Sequence, residues 1–374
     1  MSEFEAMRPY HDDEVPAVVA RILEHPDLPF GAANLLLPAF LRGPIGQWLV
    51  MRRLRAQAGR ARTVADCQLI LAEYFQRLID QTSQGVTVSG LENLSPEQRY
   101  LFISNHRDIV LDSGLLNFVI HRAGHTTSRM AVGDNLLRHE LAADLMKLNK
   151  SFVVTRGASG TRDGYRIAQR TSRYVKESLS EGVSVWIAQK EGRAKDGWDR
   201  TDPALLKMLA LAHKPKATAL QAMVEHSQLV PVAVSYELDP CAAAKAHELS
   251  VTAATGSYAK REAEDVQSSI TGLIGQKGRV HVHIGKPIAH AFQNAQELAM
   301  IIDKEIVGGL RVFPTHTAAA DTSGVDHQGP DVPEHSGVMS AFNKEFRNID
   351  ASEQPFWLDQ YANLLRNRSD LGIV

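Results

Sequence analysis

One histidine and two aspartates stand within seven residues of each other in the run Asn105-His106-Arg107-Asp108-Ile-Val-Leu-Asp112. The run follows an apolar stretch, YLFISN, that reads as a strand, so the polar groups fall where a strand gives way to a turn. A histidine at a strand end is placed for proton transfer rather than core packing. A carboxylate beside it can fix its tautomer and raise its basicity. Asp112 and Asp108 are both candidates for that carboxylate, and Asp108 could also cap a helix beginning at Ile109. Such a pair activates a weak nucleophile, an alcohol above all, with a contribution of roughly 10²–10⁴-fold in rate.

Charge points to a second element of chemistry. From Lys150 to Lys216 the chain carries 14 Lys or Arg against 7 Asp or Glu, although its overall net charge is -2. That overall balance argues against a nucleic-acid binder and leaves room for a local phosphate or carboxylate site. Within the basic stretch, Arg156 and Arg193 lead as a clamp, because a guanidinium matches phosphate bidentately. Arg107 and Lys190 come second. Glu191 could orient an arginine or accept a hydroxyl, and Gly192 would let backbone approach a ligand closely.

Other chemistries lack their residues. Cys67 and Cys241 are the only cysteines, too few for a disulfide framework or a cysteine-rich metal site, and a reducing, cytosolic setting fits them. There is no Gly-x-Ser-x-Gly elbow and no phosphate loop. His281 and His283 alternate on a strand and read as structural. His316, His327 and His335 do not form a compact ligand set.

The elements that must position these groups follow from periodicity. Short β-rich runs at 86–91, 100–105, 128–132, 151–156, 183–189, 229–236 and 280–285 alternate with helical patterns at 113–123, 136–148, 165–180, 203–213, 262–274 and 295–306. Alternation of this kind predicts an α/β fold: a mixed, mostly parallel sheet flanked by helices, with ligands beyond the carboxyl ends of its strands. Residues 1–85 read as an N-terminal helical region, with Thr63 and Asp66 marking one helix start. Its start has no signal-peptide pattern. Leu28 to Val50 is apolar but broken by Arg42, three glycines and three prolines. It reads as a buried packing segment, or else a helical hairpin or interfacial patch. Residues 86–310 form the main domain, 311–338 a flexible or irregular connection, and 339–374 a C-terminal helical segment.

The order of blocks resembles the glycerolipid acyltransferase family, which includes 1-acyl-glycerol-3-phosphate and glycerol-3-phosphate acyltransferases. The family signature is His, four intervening residues, then Asp, often after Asn; here five residues separate His106 from Asp112. Lys150-Ser-Phe-Val-Val-Thr-Arg156 stands where the second block ends. Trp186-Ile-Ala-Gln-Lys-Glu191-Gly192-Arg193 stands for the third, without its Pro and Thr. Val230-Pro231-Val232 fits the fourth, and Val282-His-Ile-Gly-Lys-Pro287 the closing strand and turn. The resemblance spans about residues 86–290.

It implies O-acylation by His106 with Asp112, or Asp108 if the extra residue displaces Asp112. Asn105, Arg107, Arg156, Lys190, Glu191, Gly192 and Arg193 would bind substrate. The donor would be acyl-CoA or acyl carrier protein, and no metal or redox cofactor is needed. The acceptor would be a lysophospholipid, first 1-acyl-glycerol-3-phosphate, with glycerol 3-phosphate or an aminolipid as alternatives. The expected location is cytoplasmic, peripheral to the inner face of the cell membrane, with Leu35–Leu41 and Phe356-Trp357 as contact candidates. A catalytically idle lipid-binding protein is the non-enzyme alternative.

Overall fold

The computed structural model describes residues 3–155, 162–261 and 264–373. Seven strands form one sheet: β1 (Val86–Ser89), β2 (Leu101–Ser104), β3 (Arg129–Gly133), β4 (Ser151–Val154), β5 (Val185–Ala188), β6 (Val230–Tyr236) and β7 (Val280–Ile284). Their spatial order is β1-β7-β6-β2-β5-β3-β4, and every pairing is parallel except β6 with β7. All seven runs read from the sequence are therefore strands, and the sheet is mixed and mostly parallel.

Fifteen helices surround it among the described residues. The first four are α1 (Val15–Glu24), α2 (Leu28–Leu36), α3 (Pro44–Ala58) and α4 (Val64–Thr82). Between the strands come α5 (Leu111–Arg122), α6 (Glu140–Leu148), α7 (Arg162–Ser180), α8 (Pro203–Ala210), α9 (Ala219–Ser227), α10 (Ala242–Thr255) and α11 (Glu264–Ile274). After the sheet come α12 (Ala295–Gly309), α13 (Pro314–Thr322), α14 (Ser336–Asn348) and α15 (Gln354–Asp370).

β2 lies at the centre and is buried on both faces, as parallel strands between helical layers must be. Phe102 packs with Trp186 and Val232 against Leu111, Leu115 and Ile120. Leu101 and Ile103 face the opposite layer, which contains Trp357, Tyr361 and Leu364 of α15. A third cluster joins α1 to α4 with α6. The start of α4 is a reciprocal capping box: Asp66 N–H donates to Thr63 Oγ1 at 3.1 Å and Thr63 N–H to Asp66 Oδ2 at 2.9 Å.

Two expectations change. Residues 311–338 are not irregular throughout, because Pro314–Thr322 is a buried helix. Its small side chains, Ala318 to Ala320, let it pack closely on α15, and that same poverty in large apolar groups made the segment look like a connection. His316 lies inside this helix, His327 meets Asp321 and His335 meets Gln84, so the three histidines are apart. Leu28 to Val50 is not simply buried, since Phe30, Phe40, Ile45, Trp48 and Leu49 are exposed.

Candidate active site

β2 ends at Ser104, and the chain turns through residues 105–110 before α5 begins. This turn brings His106 Nδ1 to 2.9 Å from Asp112 Oδ2. Asp112 is completely buried in the first turn of α5, and the imidazole retains 12% of its side-chain exposure. The extra residue between them is absorbed by the turn. Its backbone wraps the carboxylate: Arg107 N–H donates to Asp112 Oδ2 at 2.7 Å and Asp108 N–H at 2.9 Å. The Tyr236 hydroxyl, at the end of β6, donates to Oδ1 at 2.7 Å. Asp112 thus accepts four hydrogen bonds, the compensation a buried carboxylate requires. Burial and the charge of Asp112 push the Tyr236 phenol well above its ordinary pKa, so it remains a donor.

Asp108 does not pair with His106. Its Oδ1 accepts from Val110 N–H at 2.9 Å and Leu111 N–H at 2.8 Å, the capping role at the start of α5. Burial, reinforced by Asp112, raises its pKa.

Two of the expected substrate contacts are structural. Asn105 is fully buried and bridges to β6: its Nδ2 donates to Val234 O at 3.0 Å and its Oδ1 accepts from Val234 N–H at 2.8 Å. It extends the sheet where β2 leaves it. Arg107 turns away to a buried ion pair with Asp199 at 2.5 Å, and donates to Gly197 O at 3.1 Å. A guanidinium so engaged is not free to clamp a phosphate. Arg156 lies outside the described residues.

The remaining cations sit on the segment after β5. Lys190 Nζ donates to Trp198 O at 3.2 Å. Glu191 is exposed, and Gly192 adopts a φ of +78°, a backbone state that favours glycine. Ala194 N–H donates to His106 O at 2.8 Å, which ties this segment to the His106 turn and puts Arg193 next to it. Arg193 is half-buried, and its Nη1 is buried without a hydrogen-bond partner among the described residues. Such an orphaned cationic donor is what an anionic ligand would satisfy. Gly133-Asp134-Asn135, where β3 ends, reaches the same neighbourhood, because Asn135 Nδ2 donates to Asp265 Oδ2 at 2.8 Å. Burial would raise Asp265, but Lys260, Asn135 and the charge of Arg193 together hold it below its ordinary value.

Sequence reasoning missed the groups that hold this geometry. Tyr236 and Trp186 are two; the indole meets the imidazole of His106 edge-on, with centroids 6.0 Å apart, and donates to Ser104 Oγ at 2.9 Å. Lys245 of α10 is a third. It donates to Arg107 O at 2.7 Å and pairs with Asp239.

The largest omission is α15. Asn363 Nδ2 donates to Asp196 O at 2.7 Å, and Asn367 Nδ2 to Asp199 O at 3.2 Å. Gly197, at φ +82°, lies so close to α15 that a Cβ would come within 2.7 Å of Gln360 O. The loop that follows Arg193 is therefore seated on the C-terminal helix. A signal was present: Gln360, Asn363 and Asn367 recur at helical spacing inside an otherwise apolar stripe.

Among the described residues no three His, Cys, Asp or Glu side chains gather as a metal-binding set.

Residues 85–235 match the acyltransferase family model. No curated protein matches the sequence. Among solved structures, the 1-acyl-sn-glycerophosphate (LPA) acyltransferase PlsC from Thermotoga maritima is similar, with a TM-score of 0.38 at 13% identity, over 76% of this chain and 90% of that one. The signal recognition particle receptor FtsY from Elizabethkingia anophelis in complex with GDP gives 0.22 at 13% identity, over 77% and 88%. Both are distant likenesses. The matched family segment contains β1 to β5, nearly all of β6, and both members of the His106–Asp112 pair. Residues 85–235 are thus similar to the acyltransferase family, the likeness that the order of the sequence blocks implies.

Proposed function

We propose that this chain transfers a fatty acyl group from a thioester, acyl-CoA or acyl carrier protein, to the hydroxyl of a lysophospholipid, 1-acyl-glycerol-3-phosphate being the first candidate. The observation that carries the reading is the His106–Asp112 pair. With Nδ1 committed to the carboxylate, Nε2 is the nitrogen left to take a proton from the acceptor hydroxyl.

In the proposed reaction, the hydroxyl oxygen attacks the thioester carbonyl as its proton passes to His106. The tetrahedral intermediate then collapses, the carbon–sulfur bond breaks, and the imidazolium returns the proton to the departing thiolate. Asp112 keeps the tautomer and stabilises the imidazolium. Arg193, with its unsatisfied Nη1, would hold the acceptor phosphate, aided by Lys190 and, outside the described residues, Arg156. Asp108, Asn105 and Arg107 act through the fold around the pair. In this reading a lipid acceptor would be reached from the bilayer surface, on the cytoplasmic side; no helix of the described residues is long and apolar enough to cross a membrane.

The test is thioester-dependent transfer by the purified chain to lysophosphatidic acid, glycerol 3-phosphate and a neutral monoacylglycerol, with both donors. Transfer to a phosphate-bearing acceptor supports the reading. Acyl-chain binding without product from either donor contradicts it in favour of an idle lipid-binding protein.

A further inference from the structure

α7 carries four arginines on one face. Arg162, Arg166, Arg170 and Arg173 follow one another at i, i+4, i+8 and i+11, opposite the buried Thr171, Tyr174, Val175, Ser178 and Leu179. With Lys176 the helix holds five basic residues, against the two acidic residues Asp163 and Glu177. α8 packs beside it, Ser172 Oγ donating to Leu209 O at 2.6 Å, and adds the exposed Lys207 and no acidic residue. This arrangement costs the helix stability. Like charges four residues apart repel, and Arg162 stands in the first turn, where the helix dipole favours an acid. Local relief is partial. Asp163 lies 3.5 Å from Arg166, but both side chains are mostly exposed, and Arg173 pairs with Glu3. Arg170 Nε is buried without a hydrogen-bond partner among the described residues. A stripe that breaks the local rules of its own helix is expected of a surface that meets an anion.

Topology puts the stripe beside the site. β2, β5, β3 and β4 are parallel neighbours, so the carboxyl end of β4 opens on the same edge of the sheet as His106. It stands three strands from β2, about 14 Å at ordinary strand spacing. α7 runs back from that edge to the start of β5, which places Arg162 and Arg166 at its end nearer His106. Shape and composition select the occupant. The four arginines span about 16 Å of helix on a convex face, too long for one phosphate and unlike the concave sites that hold small ligands. Tyr165 is the one large apolar side chain exposed on α7 or α8. A helix that lies in a bilayer presents an apolar face, which is lacking here, whereas arginine and tyrosine are enriched where proteins meet. Phe356-Trp357 offers no apolar docking surface either, since Trp357 is wholly buried. Of the two donors in the proposed reaction, acyl carrier protein is a small acidic protein. We infer that the outer face of α7, from Arg162 to Arg173, docks the acyl carrier protein that delivers the thioester to His106. The inference rests on the proposed function and deepens it by naming the donor and where it binds.

Titration of the full chain with palmitoyl-acyl carrier protein at low and high salt tests this, beside transfer to lysophosphatidic acid from that donor and from palmitoyl-CoA. The expected result is saturable binding at low salt that weakens by about tenfold or more as salt rises. Arg162→Glu with Arg166→Glu should lower affinity for the carrier by about tenfold or more. Transfer from palmitoyl-CoA should stay within about twofold of wild type, because both positions lie beyond a Debye length from His106. The same variant puts acids where the helix dipole favours them and a glutamate four residues before Arg170. It should therefore melt no lower than wild type, so that lost binding is not lost folding. A wild-type chain that does not bind the carrier at low salt overturns the inference, as does a folded variant that binds it like wild type. A variant that keeps its carrier affinity but no longer sediments with phosphatidylglycerol vesicles, where wild type does, assigns the stripe to a bilayer and overturns it too. Equal losses of transfer from both donors would place the arginines in the reaction site and also overturn it. Carrier binding by wild type without product from either donor counts against the acyltransferase reaction alone. Product from palmitoyl-CoA without carrier binding counts against the docking surface alone.

Discussion

Two parts of the candidate site are built in opposite ways. The His106–Asp112 pair is assembled locally: the carboxylate, two of the N–H groups that hold it and the imidazole lie within seven residues, and only Tyr236 comes from afar. The Arg193 loop is assembled at long range. Its backbone is held by Asn363 and Asn367, more than 160 residues away on a helix outside the matched family segment. Local wiring fixes the angle of the His106 ring, the proposed base. Long-range wiring fixes where the Arg193 guanidinium, the proposed phosphate clamp, stands relative to that ring. The first kind of defect should appear in kcat, the second in the affinity for acceptor.

The largest expected effect is on the local side. His106→Ala should lower kcat by about 10²–10⁴-fold, measured by single-turnover transfer from labelled acyl-CoA. Asp112→Asn should cost about 10²-fold or more, because an amide facing Nδ1 no longer favours the productive tautomer.

On the long-range side, Asp303 of α12 accepts from Thr201 N–H at 2.7 Å, and burial raises its pKa from the ordinary 3.8 to about 6. The native state therefore binds this proton more tightly than the unfolded chain does. Its stabilising contribution is complete below pH 3.8 and is lost as pH rises through about 6. Asp303→Asn cannot ionise and keeps an oxygen for Thr201. It should exceed wild type by on the order of 2 kcal/mol at about pH 8, with little gain near pH 4, in urea titrations at the two pH values.

Smaller effects sharpen the contrast. Tyr236→Phe removes one hydrogen bond to Asp112 and should lower kcat by about tenfold with little change in KM, the rate equivalent of about 1.5 kcal/mol. Asn363→Ala should do the reverse, raising KM for a phosphate-bearing acceptor by about 2–10-fold while kcat stays near wild type. A kcat defect in Asn363→Ala equal to that of Tyr236→Phe would erase the distinction between the two regions.

The same contrast explains what could be read from the sequence. The seven strands were legible because β-branched and aromatic residues cluster in short runs between helical patterns. The dyad was legible because its members are near neighbours. Whether Asp112 or Asp108 meets the ring was not, since that depends on how a turn of six residues folds back, and spacing alone permits either. Asn105 and Arg107 look like ligands in sequence because polar groups at a strand end commonly are. Burial against Val234 and Asp199 gives them other work. α10 and α13 are rich in alanine and threonine and lack the apolar contrast that marks a helix. The asparagines of α15 carried a periodicity, but no partner for them is visible until the chain has folded.

The most direct test of the central claim is acyl transfer from acyl-CoA and acyl carrier protein to lysophosphatidic acid and glycerol 3-phosphate, comparing wild type with folded His106→Ala. The account predicts ester product on a phosphate-bearing acceptor with wild type, and its loss by about 10²-fold or more in the variant. Product formed equally well by folded His106→Ala would contradict it.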